Sequence, residues 1–311
     1  MTRLAPSPTG ALHLGNARTF LLTWLMARQA GGRIILRIED LDGPRVKPGA
    51  IESTLRVLRA LGIDWDGEML VQSHDLAPYV DAMNALARRG LVYPSDATRA
   101  EIEAAASAPQ EGVHEIRFPE HLRPAERPAA FDRPESSWRF VTPPGAVRFV
   151  DRFAGPCAPD PGATVGDFVV WTKRAQPSYQ LAVVVDDARQ GVTEVIRGDD
   201  LIDSAGRQLL LYRALNPTFN LGPEPRHTHL PIVKGPDGKR LAKRHGDTRV
   251  ETYLDAGVRP EKLVGLLAFW SGLVAQRQEC SAVDLLPGFE LGRVPRESIT
   301  FTPEDDRWLR A

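Results

Sequence analysis

Between Gly15 and Ala30 the apolar residues Ala17, Leu21, Trp24, Leu25 and Ala27 fall at helical spacing, and the run stops at Gly31-Gly32. This periodicity predicts a helix with a glycine C-cap. Before it, Arg3–Ala5 is short and extended and passes into a Pro/Gly loop, Pro6–Gly10. After it, Arg33–Ile38 is β-branched and mostly apolar, which predicts a buried strand with Glu39-Asp40 at its C-terminal end. Further helices are predicted over Pro48–Leu61, closing at Gly62, and over Asp75–Arg89, closing at Gly90. The order strand, helix, strand, helix predicts an α/β fold built on a doubly wound parallel sheet. Such sheets bind ligands beyond the C-terminal ends of their strands, which singles out Glu39-Asp40.

Past Tyr93-Pro94 the pattern changes. Residues 95–164 are rich in Ala, Pro and Glu, with one short helix predicted at Arg99–Ser107 and hairpin-like segments at Ser137–Val141 and Ala146–Asp151. They read as an α+β segment inserted into the sheet domain. The sheet is expected to resume with strands at Asp167–Thr172 and Tyr179–Asp187, the second strongly apolar and ending in two acids. A strand at Thr193–Arg197 and a helix at Leu201–Leu215 follow. From Asn216 the chain is Pro-rich, then basic, then helical at Val250–Asp255 and Pro260–Leu273. The expected organisation is a sheet domain split into 1–94 and 165–215, an insertion at 95–164, and a smaller, mostly helical C-terminal domain at 216–311.

Composition narrows the classes. The 311 residues suffice for a large core and more than one unit. Formal net charge is −1, so no global field announces a nucleic-acid partner. Locally, however, Arg226, Lys234, Lys239, Arg240, Lys243, Arg244 and Arg249 gather against only Asp237 and Asp247. Two cysteines, Cys157 and Cys280, are too few for a disulfide framework or a Cys-based zinc site and read as reduced structural thiols. No basic-then-apolar leader opens the chain, and no apolar run reaches the roughly eighteen residues of a membrane span. A soluble, cytoplasmic protein with no membrane partner is expected. No apolar helix face stands unaccounted for, which points to a monomer.

Two short stretches carry candidate chemistry. The first is Ala5-Pro6-Ser7-Pro8-Thr9-Gly10-Ala11-Leu12-His13-Leu14-Gly15-Asn16, a strand, a Pro/Gly loop and a helix start. Such a loop delivers a nucleotide's phosphates to a helix N-terminus, where unpaired N–H groups and the helix dipole favour anions. His13 can donate to a phosphate oxygen while Gly15 permits close approach. The second is Arg240-Leu241-Ala242-Lys243-Arg244, three cations within five residues, suited to a loop closing over a triphosphate. Taken singly, His13 reads as a structural loop histidine and Lys243 as a surface lysine; together they suggest one nucleotide site.

With Arg37-Ile38-Glu39-Asp40-Leu41-Asp42, Tyr179, Arg197-Gly198-Asp199-Asp200-Leu201 and the continuation His245-Gly246, the chain resembles the glutamyl branch of the class I aminoacyl-tRNA synthetases. The likeness runs through nearly all of the sequence except the insertion. It implies a Rossmann-type sheet, with ATP and its Mg²⁺ at His13, Gly15, Asn16 and Lys243. His13 and Lys243 would be catalytic. L-Glutamate would be held by the segment Arg3, Leu4, Ala5, Pro6 and Ser7, with Glu39, Tyr179 and Arg197. The residue types suit a dicarboxylate bearing an ammonium group: two guanidinium groups, a carboxylate and a hydroxyl. No general base is required, because the attacking carboxylate is already ionised at neutral pH. Cations would stabilise the charge that develops on the phosphoryl oxygens and the departing pyrophosphate.

After Arg244 the chain continues only to Ala311, room for a few helices but not for a helical cage that reads an anticodon. This resembles the short members of the branch, which implies transfer of glutamate to the queuosine base of tRNA(Asp), with the RNA loop entering the active site. The alternatives are a truncated enzyme charging the 3′ end of tRNA(Glu), a catalytically weak tRNA-binding paralogue, or a small-molecule nucleotidylyltransferase on a similar sheet. Two features depart from the family. The insertion usually carries zinc at places occupied here by Ser95, Ala97, Phe118 and Leu122, with only His114 and His121 nearby, so no zinc is expected and apolar packing alone should hold it. Ala242 stands where the family's loop usually has Ser, which removes a hydrogen bond of about 1 kcal/mol.

Overall fold

The protein is described from a computed structural model, at residues 1–98, 100–102, 116–239, 241 and 247–311. Its centre is a parallel layer. Strand β1 (Thr2–Leu4) pairs with β2 (Ile34–Ile38), Arg3 opposite Ile35 and Leu4 opposite Leu36, and β2 pairs with β3 (Leu70–Val71). Strand β10 (Glu194–Gly198) pairs with β11 (Arg226–Leu230). The two groups meet side by side: the Thr193 and Glu194 amides donate to the Met1 carbonyl at 3.0 and 3.2 Å, and the Thr2 hydroxyl donates to the Glu194 carbonyl. The resulting order, β3-β2-β1-β10-β11, makes the β1/β10 junction the point where connections switch direction, where open α/β sheets bind ligands.

Helices cover both faces. Helix α1 (Leu14–Gln29) shares one core with Leu4, Ile34 and Leu36, helix α2 (Ala50–Ala60), and the late helices α7 (Val250–Asp255), α8 (Pro260–Trp270), α9 (Ala282–Leu285) and α10 (Pro303–Arg310). A short parallel pair, β12 (Val233–Lys234) with β13 (Ile299–Thr300), ties that end of the chain to the sheet. Helices α3 (Ala77–Arg88), α5 (Tyr179–Arg189) and α6 (Ile202–Phe219) form a second core. Gly62 and Gly90, after α2 and α3, have φ of 71° and 62°, the left-handed cap that a side chain resists.

Two expectations are corrected. Tyr179–Asp187 is the body of a helix, not a strand. Leu181, Ala182, Val183 and Val184 are all buried, because α5 is wedged against α3 and α6, so its apolar run is continuous. A continuous run of that length has no period by which to tell a buried helix from a buried strand. The segment Asp167–Thr172 does form a strand, β8 (Val169–Thr172), but it does not resume the parallel layer. It lies in an antiparallel sheet ordered β4-β5-β8-β9, with β4 (Val92–Pro94), β5 (Trp138–Phe140) and β9 (Gln176–Pro177). The segments predicted as hairpin-like do not pair with each other: β5 joins that sheet, whereas β6 (Phe149–Asp151) pairs with β7 (Gly155–Cys157) ahead of the one-turn helix α4 (Pro161–Thr164).

Of the helix predicted at Arg99–Ser107 only residues 100–102 are described, and His114 lies outside the described residues. Ala97, Phe118 and Leu122 pack with Tyr93, Ile102, Ile116 and Val141 in a small apolar cluster. Ser95 is nearly buried, its amide donating to the Ser137 carbonyl. These side chains offer no thiolate, imidazole or carboxylate and do not fit a zinc ion. Packing is not the whole of it, contrary to expectation. The buried Asp167 accepts from the Tyr93 hydroxyl at 2.7 Å, from Arg123 at 2.7 and 2.8 Å, and from the Thr142 amide at 2.8 Å. The Arg139 guanidinium sits 4.0 Å above the Phe118 ring. Gly166 lets the Phe118 backbone come close, since a Cβ there would lie 2.4 Å from the Phe118 carbonyl oxygen. Prolonged dialysis against a chelator should therefore leave the thermal midpoint unchanged in calorimetry, and a fall of several degrees would reveal a structural metal.

Candidate active site

A cleft of about 470 Å³ opens at the β1/β10 switch point. The loop after β1 forms one wall and is held by backbone pairing: the Glu39 amide donates to the Pro6 carbonyl at 3.0 Å, and the Lys47 amide to that of Pro8 at 3.1 Å. Ala5, Pro6, Ser7, Thr9, Gly10 and Ala11 all face the cleft. The floor is the start of α1. His13 is its N-cap residue in extended conformation, and Gly15 and Asn16, whose amides have no helical partner, line the cavity. A Cβ at position 15 would meet Val233 Cβ at 3.4 Å, an ordinary contact, so α1 seats closely on β12 there.

The His13 ring lies with Nδ1 3.1 Å from the Thr248 hydroxyl, and His13 bridges Arg249 in antiparallel fashion. The Leu14 amide donates to the Thr248 carbonyl and the Val250 amide to the Leu12 carbonyl. The downstream flank of the basic loop is thereby pinned to the first motif, and its upstream neighbour Leu241 lines the same cleft. Lys243 itself, with Arg240, Ala242 and Arg244, lies outside the described residues.

Arg3, Glu39, Tyr179 and Arg197 come together on the cleft wall. Leu4 does not: its side chain is fully buried in the core beside β2. The two arginines, each 5% exposed, differ in their charge balance. Arg3 donates to the Asp187 carboxylate at 3.3 Å and to the Ile196 carbonyl at 3.2 Å. Arg197 has only neutral partners: Nε donates to His229 Nε2 at 3.0 Å, and the terminal nitrogens to Gln208 Oε1 at 2.8 Å, the Leu201 carbonyl at 3.3 Å and the Tyr179 hydroxyl at 3.5 Å. Among the described residues no carboxylate lies within ion-pair distance of it. Burial lowers its pKa, yet a guanidinium stays protonated at neutral pH. Burial pushes the Glu39 carboxyl up, against the pull of Arg37 and Arg3.

Several contributors were not visible in the sequence. Asp187 and Arg37 underlie the cleft, joined at 2.6 Å, and Asp151, His229 and Gln208 hold Arg197 from behind. The alternation His227-Thr228-His229, in a stretch that reads as Pro-rich and basic, was the one signal available. Gly198 leaves room where the chain leaves β10, since a Cβ there would lie 2.5 Å from Asp200 Oδ1 and 2.9 Å from Ile232 Cγ2, and both side chains would have to shift. A second, larger cavity of about 1030 Å³ adjoins the first and shares Ser7, Thr9, Glu39 and Tyr179 with it, then extends past Gln180 and Arg207 toward the antiparallel sheet.

The family model "tRNA synthetases class I (E and Q), catalytic domain" matches residues 1–293. The chain is 47% identical to a glutamyl-Q tRNA(Asp) synthetase of Symbiobacterium thermophilum, over 97% of this chain and 96% of that one. It is 36% identical to a glutamate–tRNA ligase of Oleidesulfovibrio alaskensis, over 99% of this chain and 65% of the other. Among solved structures, a glutamate tRNA ligase of Elizabethkingia meningosepticum in complex with its amino acid superposes with a TM-score of 0.79 at 26% identity, covering 99% of this chain and 68% of that one.

Proposed function

Because the chain belongs to the class I tRNA synthetases of the glutamate and glutamine type, we propose that it activates L-glutamate with ATP and passes the glutamyl group to the queuosine base of tRNA(Asp). The observation that carries the amino-acid half is Arg197: a buried guanidinium on a cleft wall, with no carboxylate partner among the described residues, is costly until an anion arrives. Glutamate supplies one carboxylate to Arg197 and the other to the neighbourhood of Arg3, while Glu39 faces its ammonium group. The transfer half rests on the relatives, since the higher identity is to the glutamyl-Q enzyme.

ATP lies along His13, Gly15 and Asn16, with its phosphates at the α1 N-terminus and Lys243 closing from the basic loop. Mg²⁺ would accompany ATP, held largely by phosphate oxygens and waters. A glutamate carboxylate oxygen attacks the α-phosphorus, the bond to the bridging oxygen breaks, and pyrophosphate leaves. The acceptor hydroxyl then attacks the carbonyl carbon of the mixed anhydride and AMP departs. The larger adjoining cavity gives a route for a splayed RNA loop to reach that carbonyl.

Glutamate-dependent ATP/pyrophosphate exchange without tRNA is expected, and Lys243→Ala should slow it by about 10²-fold as a phosphate-directed cation is lost. Absence of exchange by the folded protein would end the ligase reading. Labelled glutamate should then enter total tRNA only when the cells make queuosine. Label on the terminal ribose of queuosine-free tRNA would instead mark a 3′-charging enzyme.

A further inference from the structure

His229 is fully buried and does not line the cleft, yet it makes the closest contact that the Arg197 Nε–H has. An arginine Nε–H can only donate, so His229 Nε2 must present its lone pair. The ring proton then sits on Nδ1, which faces Asp151 Oδ2 at 2.7 Å. Asp151, at the end of β6, is buried and fixed in turn by the amides of Phe153 and Ala154 at 2.8 Å and of His229 at 3.1 Å. The His227 ring lies parallel to that of His229, with centroids 5.7 Å apart and planes inclined by only 4°.

We propose that Asp151 and His229 form a positioning pair that fixes the imidazole tautomer Arg197 requires, and thereby the direction in which Arg197 presents its terminal N–H groups to a glutamate carboxylate. This rests on the glutamate reading above. The proton pattern admits one arrangement, Asp151 carboxylate, Nδ1–H, Nε2 lone pair, Nε–H of Arg197. A proton on Nε2 would set donor against donor and turn the guanidinium away. Electrostatics agree with it: burial keeps His229 neutral, and the hydrogen bonds to Asp151 outweigh its own burial and hold its carboxyl below the usual range. Neither residue touches substrate, so both act through Arg197.

Asp151→Asn tests the pair with almost no change of shape. The asparagine oxygen is claimed by the backbone amides, leaving its NH₂ toward Nδ1, so the imidazole proton moves to Nε2 against Arg197. In the exchange assay on the full chain, the glutamate KM should rise by about tenfold or more, with the ATP KM and the thermal midpoint nearly unchanged. His229→Gln, which places an amide oxygen near the position of Nε2, should keep most of the glutamate affinity. His229→Met, of similar length but without an acceptor, should lose it as Asp151→Asn does. Nitrogen-15 shifts of the ring should report Nδ1–H in the wild type and Nε2–H in Asp151→Asn, a readout that survives if His229→Met does not fold. An unchanged glutamate KM in Asp151→Asn, with wild-type exchange intact, overturns the pair. Absence of exchange in the wild type strikes at the glutamate reading itself.

Discussion

Arg197→Leu is expected to abolish most glutamate activation without weakening the fold. Removing one partner of a buried, hydrogen-bonded charge pair costs about 2–5 kcal/mol, so kcat/KM for glutamate should fall on the order of 10²- to 10³-fold. The ATP KM should stay near its wild-type value, because Arg197, on β10, belongs to the part of the cleft wall formed with Arg3, Glu39 and Tyr179, whereas the phosphates are assigned to the start of α1. The stability side has the opposite sign. Arg197 is a buried cation whose hydrogen-bond partners, His229, Gln208, the Tyr179 hydroxyl and the Leu201 carbonyl, are all neutral, and Asp187 acts on it only from beyond ion-pair distance. Exchanging such a charge for an apolar side chain of similar size is often neutral or stabilising. The lost hydrogen bonds to His229 and Gln208 offset part of that gain. Calorimetry should show a thermal midpoint no lower than wild type, beside exchange kinetics that have collapsed. Arg197→Lys should not rescue, because one ammonium cannot hold His229, Gln208 and a carboxylate in the guanidinium plane. A midpoint that falls sharply in Arg197→Leu would mean that the arginine serves the fold and that the cleft's demand for an anion was misjudged.

That contrast separates what the sequence could reveal from what it could not. The first motif was legible because its physics is local: a short strand, a turn of Pro and Gly, and a helix start at Leu14 within a residue of expectation. Arg3, Glu39, Tyr179 and Arg197 were legible as a set only through family likeness, and the fold then brought them to one wall. Leu4 turns its side chain to the core and not to the cleft because successive residues of a strand face opposite sides, an alternation that a list of segment residues does not carry. The helix Tyr179–Arg189 was unreadable for another reason. Of its neighbours, α3 comes from a distant part of the chain and α6 from beyond an intervening strand, and no local pattern records that both faces would be covered. The charge partners Asp151, His229, Asp187 and Arg37 share that difficulty. Pairing across 78 or 150 residues is a property of topology.

Arg37→Met should be the most damaging single substitution for stability. The end of α5 places Asp186 and Asp187 in its last turn, where the helix dipole disfavours carboxylates. Both are buried, and the fully buried Arg37 answers them: it donates to Asp187 at 2.6 Å, lies 3.8 Å from Asp186 and 3.4 Å from Glu39, and donates to Gln190 at 2.8 Å. Asp186 has further help from Gln72 at 2.6 Å and the Tyr79 hydroxyl at 2.9 Å. Asp187 has Arg3 at 3.3 Å besides, and Arg197 acts on it from farther away. Methionine would fill the volume but leave Asp187 without its nearest cation, a loss of about 3–5 kcal/mol by the usual cost of breaking a buried pair. The pH dependence fixes the cause. Burial opposes ionisation of Asp187, but Arg37 and Arg3 outweigh it and hold its folded pKa below the unfolded value near 3.9. Its stabilisation is thus present above that pH and is lost as pH falls through the folded value. In Arg37→Met the carboxyl loses that support and takes up a proton at higher pH. The gap between wild type and variant in urea unfolding should be widest at pH 7 and shrink toward pH 4. A gap of equal size at both would mean that Arg37 acts by packing and that the charge layer beneath the cleft carries no energy of its own.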